Sequence, residues 1–150
     1  MPSEQTGLCC ATAMRKASRR ITQFYDDALA PSGLRSTQYA ILAELLARAE
    51  CPPTLQELAD ALVLDRSALG HNLKPLERDG LIGQQQSPED RRRRLITLSA
   101  AGHATFAQAR ELWANAQAHF LEVFGESKAC ALRQTLLEIA YDERLAAAKA

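Results

Sequence analysis

The segment from Thr54 to Leu81, TLQELADALVLDRSALGHNLKPLERDGL, constrains the fold more than any other part of this chain. Thr54 and Glu57 stand at capping-box spacing: the Thr54 hydroxyl can accept from the Glu57 backbone N–H, and the Glu57 carboxylate can reach back. A short helix, LQELADAL, starts there and carries Leu55, Leu58, Ala59 and Leu62 on one side. Asp65 suits the N-cap of a second helix over about Arg66 to Arg78, and Gly80 suits a left-handed turn beyond it. Two short helices so close in sequence, each with one apolar side, have the build of a helix-turn-helix. The second has two faces. Leu69, Leu73 and Leu76 point inward at steps of four and three. Arg66, Ser67, Ala68, Gly70, His71 and Lys74 lie on or near the other side and are small or hydrogen-bonding. A helix with that outer face fits a DNA major groove, about 12 Å wide, where polar side chains read base edges. Pro75 lies inside it, removes one donor and crowds the His71 carbonyl, which predicts a local kink or a free carbonyl.

Two short strands, LIGQQQ and RLITLS, follow, joined by a turn holding SPEDRR. The hairpin tip carries Arg91 and Arg92, able to reach a phosphate backbone or a narrow minor groove. Arg93 and Arg94 are expected in the return strand, pointing to opposite faces, and Asp90 with Arg91, Arg92, Arg93 and Arg94 makes up the expected DNA-binding wing. The 150 residues carry 18 basic and 18 acidic side chains, so any nucleic-acid affinity has to come from such local placement.

Long amphipathic helices flank this middle. The first is predicted from about Leu8 to Ala30, with Cys10, Met14, Ala17, Ile21, Phe24 and Ala28 as its apolar stripe. Pro31 and Gly33 break it, and a core helix, TQYAILAELLARA, follows with Ser36 as its expected N-cap. Ser99 caps a long helix with Phe106, Ala109, Trp113, Ala116, Phe120 and Val123 on one stripe, ended by Gly125. The last helix is expected over about Ser127 to Lys149, with Leu132, Leu136 and Ile139. Three such stripes at the two ends of one small domain point to a subunit interface. The fold expected is mainly α with a small β-wing, one domain over 1–150. Within it, 34–100 forms a winged helix-turn-helix lobe, and 7–33 and 101–150 form dimerisation helices.

The run DRRRRLITLSAAG resembles the wing signature of the MarR family of winged-helix transcription regulators, with Asp90, Arg92, Leu98, Ser99 and Gly102 in the signature places. GLRSTQYAIL and LERDGLI resemble the start of that family's second helix and the exit of its recognition helix. The resemblance implies a homodimer that binds a pseudo-palindromic operator in double-stranded DNA, usually as a repressor. Arg92 would enter the minor groove, oriented by a charge-assisted hydrogen bond that Asp90 accepts. A small effector, often an aromatic acid or phenol, would release the DNA, and Phe24, Tyr25, Tyr39 and Trp113 are the residues expected to line its pocket.

One branch of the family senses organic hydroperoxides through a cysteine of the first helix, and LCCATAMRKASRRITQFY is similar to it. Aligned on SRRITQFY, the reactive position falls on Ala11; Tyr25 alone matches the assisting tyrosines, with Ser36 and Arg15 in the other places. Cys9, near a helix N-terminus, is the candidate redox residue, whereas Cys10 on the stripe is expected to be inert packing. Other classes leave less trace. No nucleophile–base pair, metal cluster or phosphate loop appears, so no catalytic residue, metal or cofactor is expected. A winged-helix module that binds protein rather than DNA is the remaining alternative. No membrane span or signal peptide is legible, and the cysteines form no CxxC pair, so a cytoplasmic location is expected.

Overall fold

In the computed structural model, which describes residues 7–146, helix α1 spans Cys10–Leu29 and runs into a 3₁₀ turn at Ala30–Ser32. Helices α2 (Ser36–Ala47), α3 (Leu55–Leu62) and α4 (Arg66–Arg78) follow. Strands β1 (Ile82–Gln86) and β2 (Arg94–Leu98) pair antiparallel, Ile82 opposite Leu98 and Gln86 opposite Arg94. Helices α5 (Ala100–Phe124) and α6 (Glu126–Ala140) close the chain, with a 3₁₀ turn at Glu143–Leu145. No described helix is long and apolar enough to cross a membrane.

The core sits where the sequence pattern places it. Ile41 and Leu42 of α2, Leu58 and Ala59 of α3, and Leu69, Leu73 and Leu76 of α4 are buried together with Ile82, Ile96 and Phe106. The caps form as the spacing predicts. Thr54 Oγ1 accepts from the Glu57 N–H at 3.2 Å, and Thr54 donates its N–H to Glu57 Oε2 at 2.9 Å. Asp65 Oδ1 accepts from the Ala68 N–H at 2.7 Å, and Ser99 Oγ from the Gly102 N–H at 3.0 Å. Gly80 is left-handed, φ +71°.

Four expectations are corrected. The N-cap of α2 is Arg35, not Ser36. Ser36 is already helical, and its orphan N–H is satisfied from α1, by Asp26 Oδ1 at 2.7 Å, a partner ten residues away that local pattern does not reveal. The last helix stops at Ala140. Beyond it the Tyr141 hydroxyl donates to the Ala61 carbonyl at 2.6 Å, and Asp142 grips Arg144 through N–H and guanidinium together. The expected continuation beyond 146 lies outside the described residues. Helix α4 runs unbroken through Pro75, which supplies no N–H to the His71 carbonyl. Strand β2 begins at Arg94, which leaves Arg93 in the turn. Cys10 is exposed on this chain rather than packed.

The two helices at the C-terminal end are incompletely covered. On α6 only Ala129 is buried, while Leu132, Leu136 and Ile139 remain about two-fifths exposed. Val123 and Phe124, at the end of α5, are exposed as well.

Candidate nucleic-acid interface and effector cavity

The outer face of α4 stands free. Arg66, Ser67, His71 and Lys74 are exposed, and Ala68 and Gly70 are half-buried. Gly70 is informative. A Cβ there would meet nothing within 4 Å, so packing does not require glycine. Glycine inside a helix costs about 1 kcal/mol relative to alanine. What it supplies is a bare stretch of helix that another surface can approach closely.

The wing is built as an ordered turn. Ser87, buried, donates its N–H to the Arg93 carbonyl at 2.9 Å, and the Arg93 N–H returns to the Asp90 carbonyl at 3.0 Å. Asp90 Oδ1 accepts from the Arg92 backbone N–H at 3.0 Å. The bond between Asp90 and Arg92 thus runs through the backbone: Asp90 fixes the peptide that carries Arg92, and the Arg92 side chain stands exposed. Arg91, Arg92 and Arg94 are exposed and reach no carboxylate among the described residues.

The wing is also fastened to the helix-turn-helix. Ile96 donates its N–H to the Pro53 carbonyl at 2.9 Å, and Thr54 bridges Leu95, so residues 53–54 lie as a rudimentary third strand. Sequence reading misses this, because two residues carry no periodicity and Pro52-Pro53 reads only as a helix stop. Arg93 Nη2 meets Glu57 Oε1 at 2.8 Å. The Glu57 carboxylate thus serves the capping box and the wing at once; the Thr54 N–H, with Arg93 beside it, holds its pKa below the usual carboxylate range. These ties place Arg66 of α4 and Arg92, Arg93 and Arg94 of the wing around one groove of about 370 Å³, with Gln56 and Gln84 on its walls.

The expected effector residues come together in part. Tyr25, Tyr39 and Trp113 line a cavity of about 570 Å³ between α1, α2 and α5, floored by Leu29, Ala40 and Ala43. Tyr39 stacks on Phe106 at 5.1 Å and on Trp113 at 5.9 Å between ring centroids. The Tyr25 hydroxyl donates to Gln117 Oε1 at 2.6 Å. Burial pushes the pKa of both tyrosines up, with Arg110 opposing the shift at Tyr39, so both stay neutral donors. Phe24 does not line this cavity; it packs edge-on against Tyr25 and beside His119. Ser36 and Glu44 are also at the wall; the sequence marked Ser36 only as a helix cap and as the residue in an assisting-tyrosine place, and Glu44 breaks no pattern.

Cys9 is the exposed N-cap of α1. The adjacent Thr12 hydroxyl and N–H lower its thiol pKa, although no side-chain capping bond closes there. Among the described residues no group of His, Cys, Asp or Glu is placed to hold a metal.

A helix with a free polar face, set beside an arginine-bearing hairpin, defines a winged helix-turn-helix DNA-binding fold. The chain belongs to the MarR family of transcriptional regulators. A MarR family profile matches residues 34–93. The M. tuberculosis transcriptional regulator MosR, solved in complex with DNA, is 32% identical over 88% of this chain and 93% of its own, with a TM-score of 0.78. The transcriptional repressor CouR, bound to a 23-mer DNA duplex, is 28% identical over 93% of this chain and 98% of its own, with a TM-score of 0.83. CouR bound to p-coumaroyl-CoA is 25% identical over 95% and 99%, with a TM-score of 0.82. No curated protein sequence matches the chain.

Proposed function

We propose that the protein is a homodimeric repressor that binds a pseudo-palindromic operator and releases it when a small aromatic or phenolic effector enters the Tyr25–Tyr39–Trp113 cavity. The observation that carries the DNA half of this reading is the groove that gathers Arg66 with Arg92 to Arg94. In a two-fold dimer the lobes, residues 34–100, would set the two α4 helices into successive major grooves about 34 Å apart. Arg66, Ser67, Ala68, Gly70, His71 and Lys74 would face the bases, and Arg92 the minor groove. Helices from 7–33 and 101–150 would form the subunit interface. DNA-bound MosR and CouR support the first part, and the ligand-bound CouR supports the second.

The test starts from genomic fragments that the protein retains. Their affinity should fall steeply with salt, since each neutralised phosphate contributes a slope of about 0.9 in log K against log salt. Arg92→Ala is expected to weaken binding by about tenfold and to make that slope shallower. An affinity indifferent both to salt and to Arg92 would leave the protein-binding winged-helix module as the better reading.

The exposure and lowered pKa of Cys9 favour a second mode of release, by thiol oxidation. Under a hydroperoxide, wild-type protein should then lose DNA while Cys9→Ser retains it. If both proteins lose it alike, Cys9 is not the sensor.

A further inference from the structure

Arg93 differs from its three neighbours in the run. Its guanidinium is committed, 2.8 Å from Glu57 across 36 positions of sequence, with both side chains about half exposed. Its backbone is committed too, since its N–H and carbonyl both close the wing turn. Resting on the DNA-binding reading above, we propose that Arg93 is a strut rather than a DNA contact: with Glu57 it ties the turn end of the wing to the first turn of α3. That tie sets where Arg91, Arg92 and Arg94 stand relative to the α4 face.

Two physical arguments carry this. The first is charge. An arginine already matched by a carboxylate would have to break that pair before it could neutralise a phosphate and release the cation condensed there. The same pair removes a liability. The capping box needs a carboxylate or amide at the third helical position of α3, and an unmatched carboxylate beside the arginine groove would repel DNA. The second is geometry. The Ile96–Pro53 backbone bond holds the middle of β2 to the segment before α3, and the Arg93–Glu57 pair holds its start. Two attachments fix the hairpin's inclination, where one would leave a hinge. Arg93 is thus a positioning residue, and Glu57 is its partner.

The test uses the full chain and a retained genomic fragment, with Kd followed across salt and amide exchange followed without DNA. The double variant E57Q/R93Q keeps the net charge, and glutamine at 57 still serves the capping box. It should bind about threefold more weakly, the scale of an exposed ion pair, with the slope of the wild type. Its Arg93 and Ile96 amides should exchange faster. Arg93→Lys, which keeps the pair, should stay near wild type in both measurements. Arg93→Gln alone should leave the salt slope in place, whereas Arg92→Gln should lower it by about 0.9 for each phosphate that Arg92 neutralises. A slope that falls in Arg93→Gln as it does in Arg92→Gln makes Arg93 a phosphate ligand and overturns the strut. So does a double variant with wild-type affinity and exchange. Should the wild type bind no DNA at all, the regulator reading fails, and amide exchange alone decides whether Glu57 and Arg93 hold the wing.

Discussion

Gly102→Ala is expected to lower the stability of the folded chain by about 3 kcal/mol, the upper range for overpacking. The reason is a close approach of backbones. Gly102 lies in the first turn of α5, where Ser99 anchors the helix by accepting the Gly102 N–H and donating its hydroxyl to the Gly80 carbonyl. The Ser99 N–H also donates to the Leu81 carbonyl, at 3.0 Å. This draws the helix start onto the peptide that follows the α4 turn. A Cβ at 102 would be driven into the Leu81 carbonyl oxygen and would lie 2.6 Å from Leu98 Cδ1. The leucine can rotate away; the carbonyl cannot move without breaking its bond to Ser99. Alanine would gain about 1 kcal/mol in helix propensity, and the clash outweighs it. At equal protomer concentration Tm should fall by roughly 10 °C, at 2–4 °C for each kcal/mol in a chain this size. An unchanged or raised Tm would mean that α5 does not start against Leu81. Since Gly102 joins wing and long helix, weakening this junction should also loosen β1 and β2 before it unfolds α2.

That junction shows how much was legible in the sequence. Gly102 was visible as part of a wing signature, but its reason, a carbonyl twenty-one positions earlier in the chain, was not. Periodicity and caps define the α3–α4 unit almost to the residue, because Thr54, Glu57, Asp65 and the leucines act within one or two turns of themselves. What escaped were bonds between elements: Asp26 to Ser36, Glu57 to Arg93, Pro53 to Ile96 and Tyr141 to Ala61. Each joins groups whose nearness is a product of the fold, and a single sequence holds no trace of it. The same limit explains the arginine run. Four identical side chains could be ranked only by turn position, and their roles separate once, among the described residues, one has a carboxylate partner and the others do not. It explains the effector cavity as well. Three of the four aromatics singled out meet there, while Phe24, one position from Tyr25, turns about 100° around the helix to another surface.

The dimer reading makes the other large prediction. Leu136→Asp should leave each lobe folded yet abolish the dimer at micromolar concentration. Leu136 keeps 43% of its surface exposed on a single chain, on a helix where Ala129 alone is buried. It lies between Leu132 and Ile139 on a helix whose apolar stripe the described elements leave about two-fifths exposed. In a two-fold interface each substitution counts twice. Loss of about 2 kcal/mol of apolar burial per copy, before any cost of bringing two carboxylates together, raises the dimer Kd by about a thousandfold. Separate protomers must then find each half-site independently. They lose the effective concentration that linkage supplies, so affinity for the full operator should fall by about a hundredfold or more. Sedimentation would show the monomer, and circular dichroism would show that α2 to α5 persist. The control is the wing. Arg92→Ala should weaken DNA binding in a protein that sediments as the wild type does, whereas Leu136→Asp should weaken it by changing the species in solution. A Leu136→Asp protein that remains a dimer and keeps its operator would place the interface elsewhere, and the exposed face of α6 would then need a different occupant.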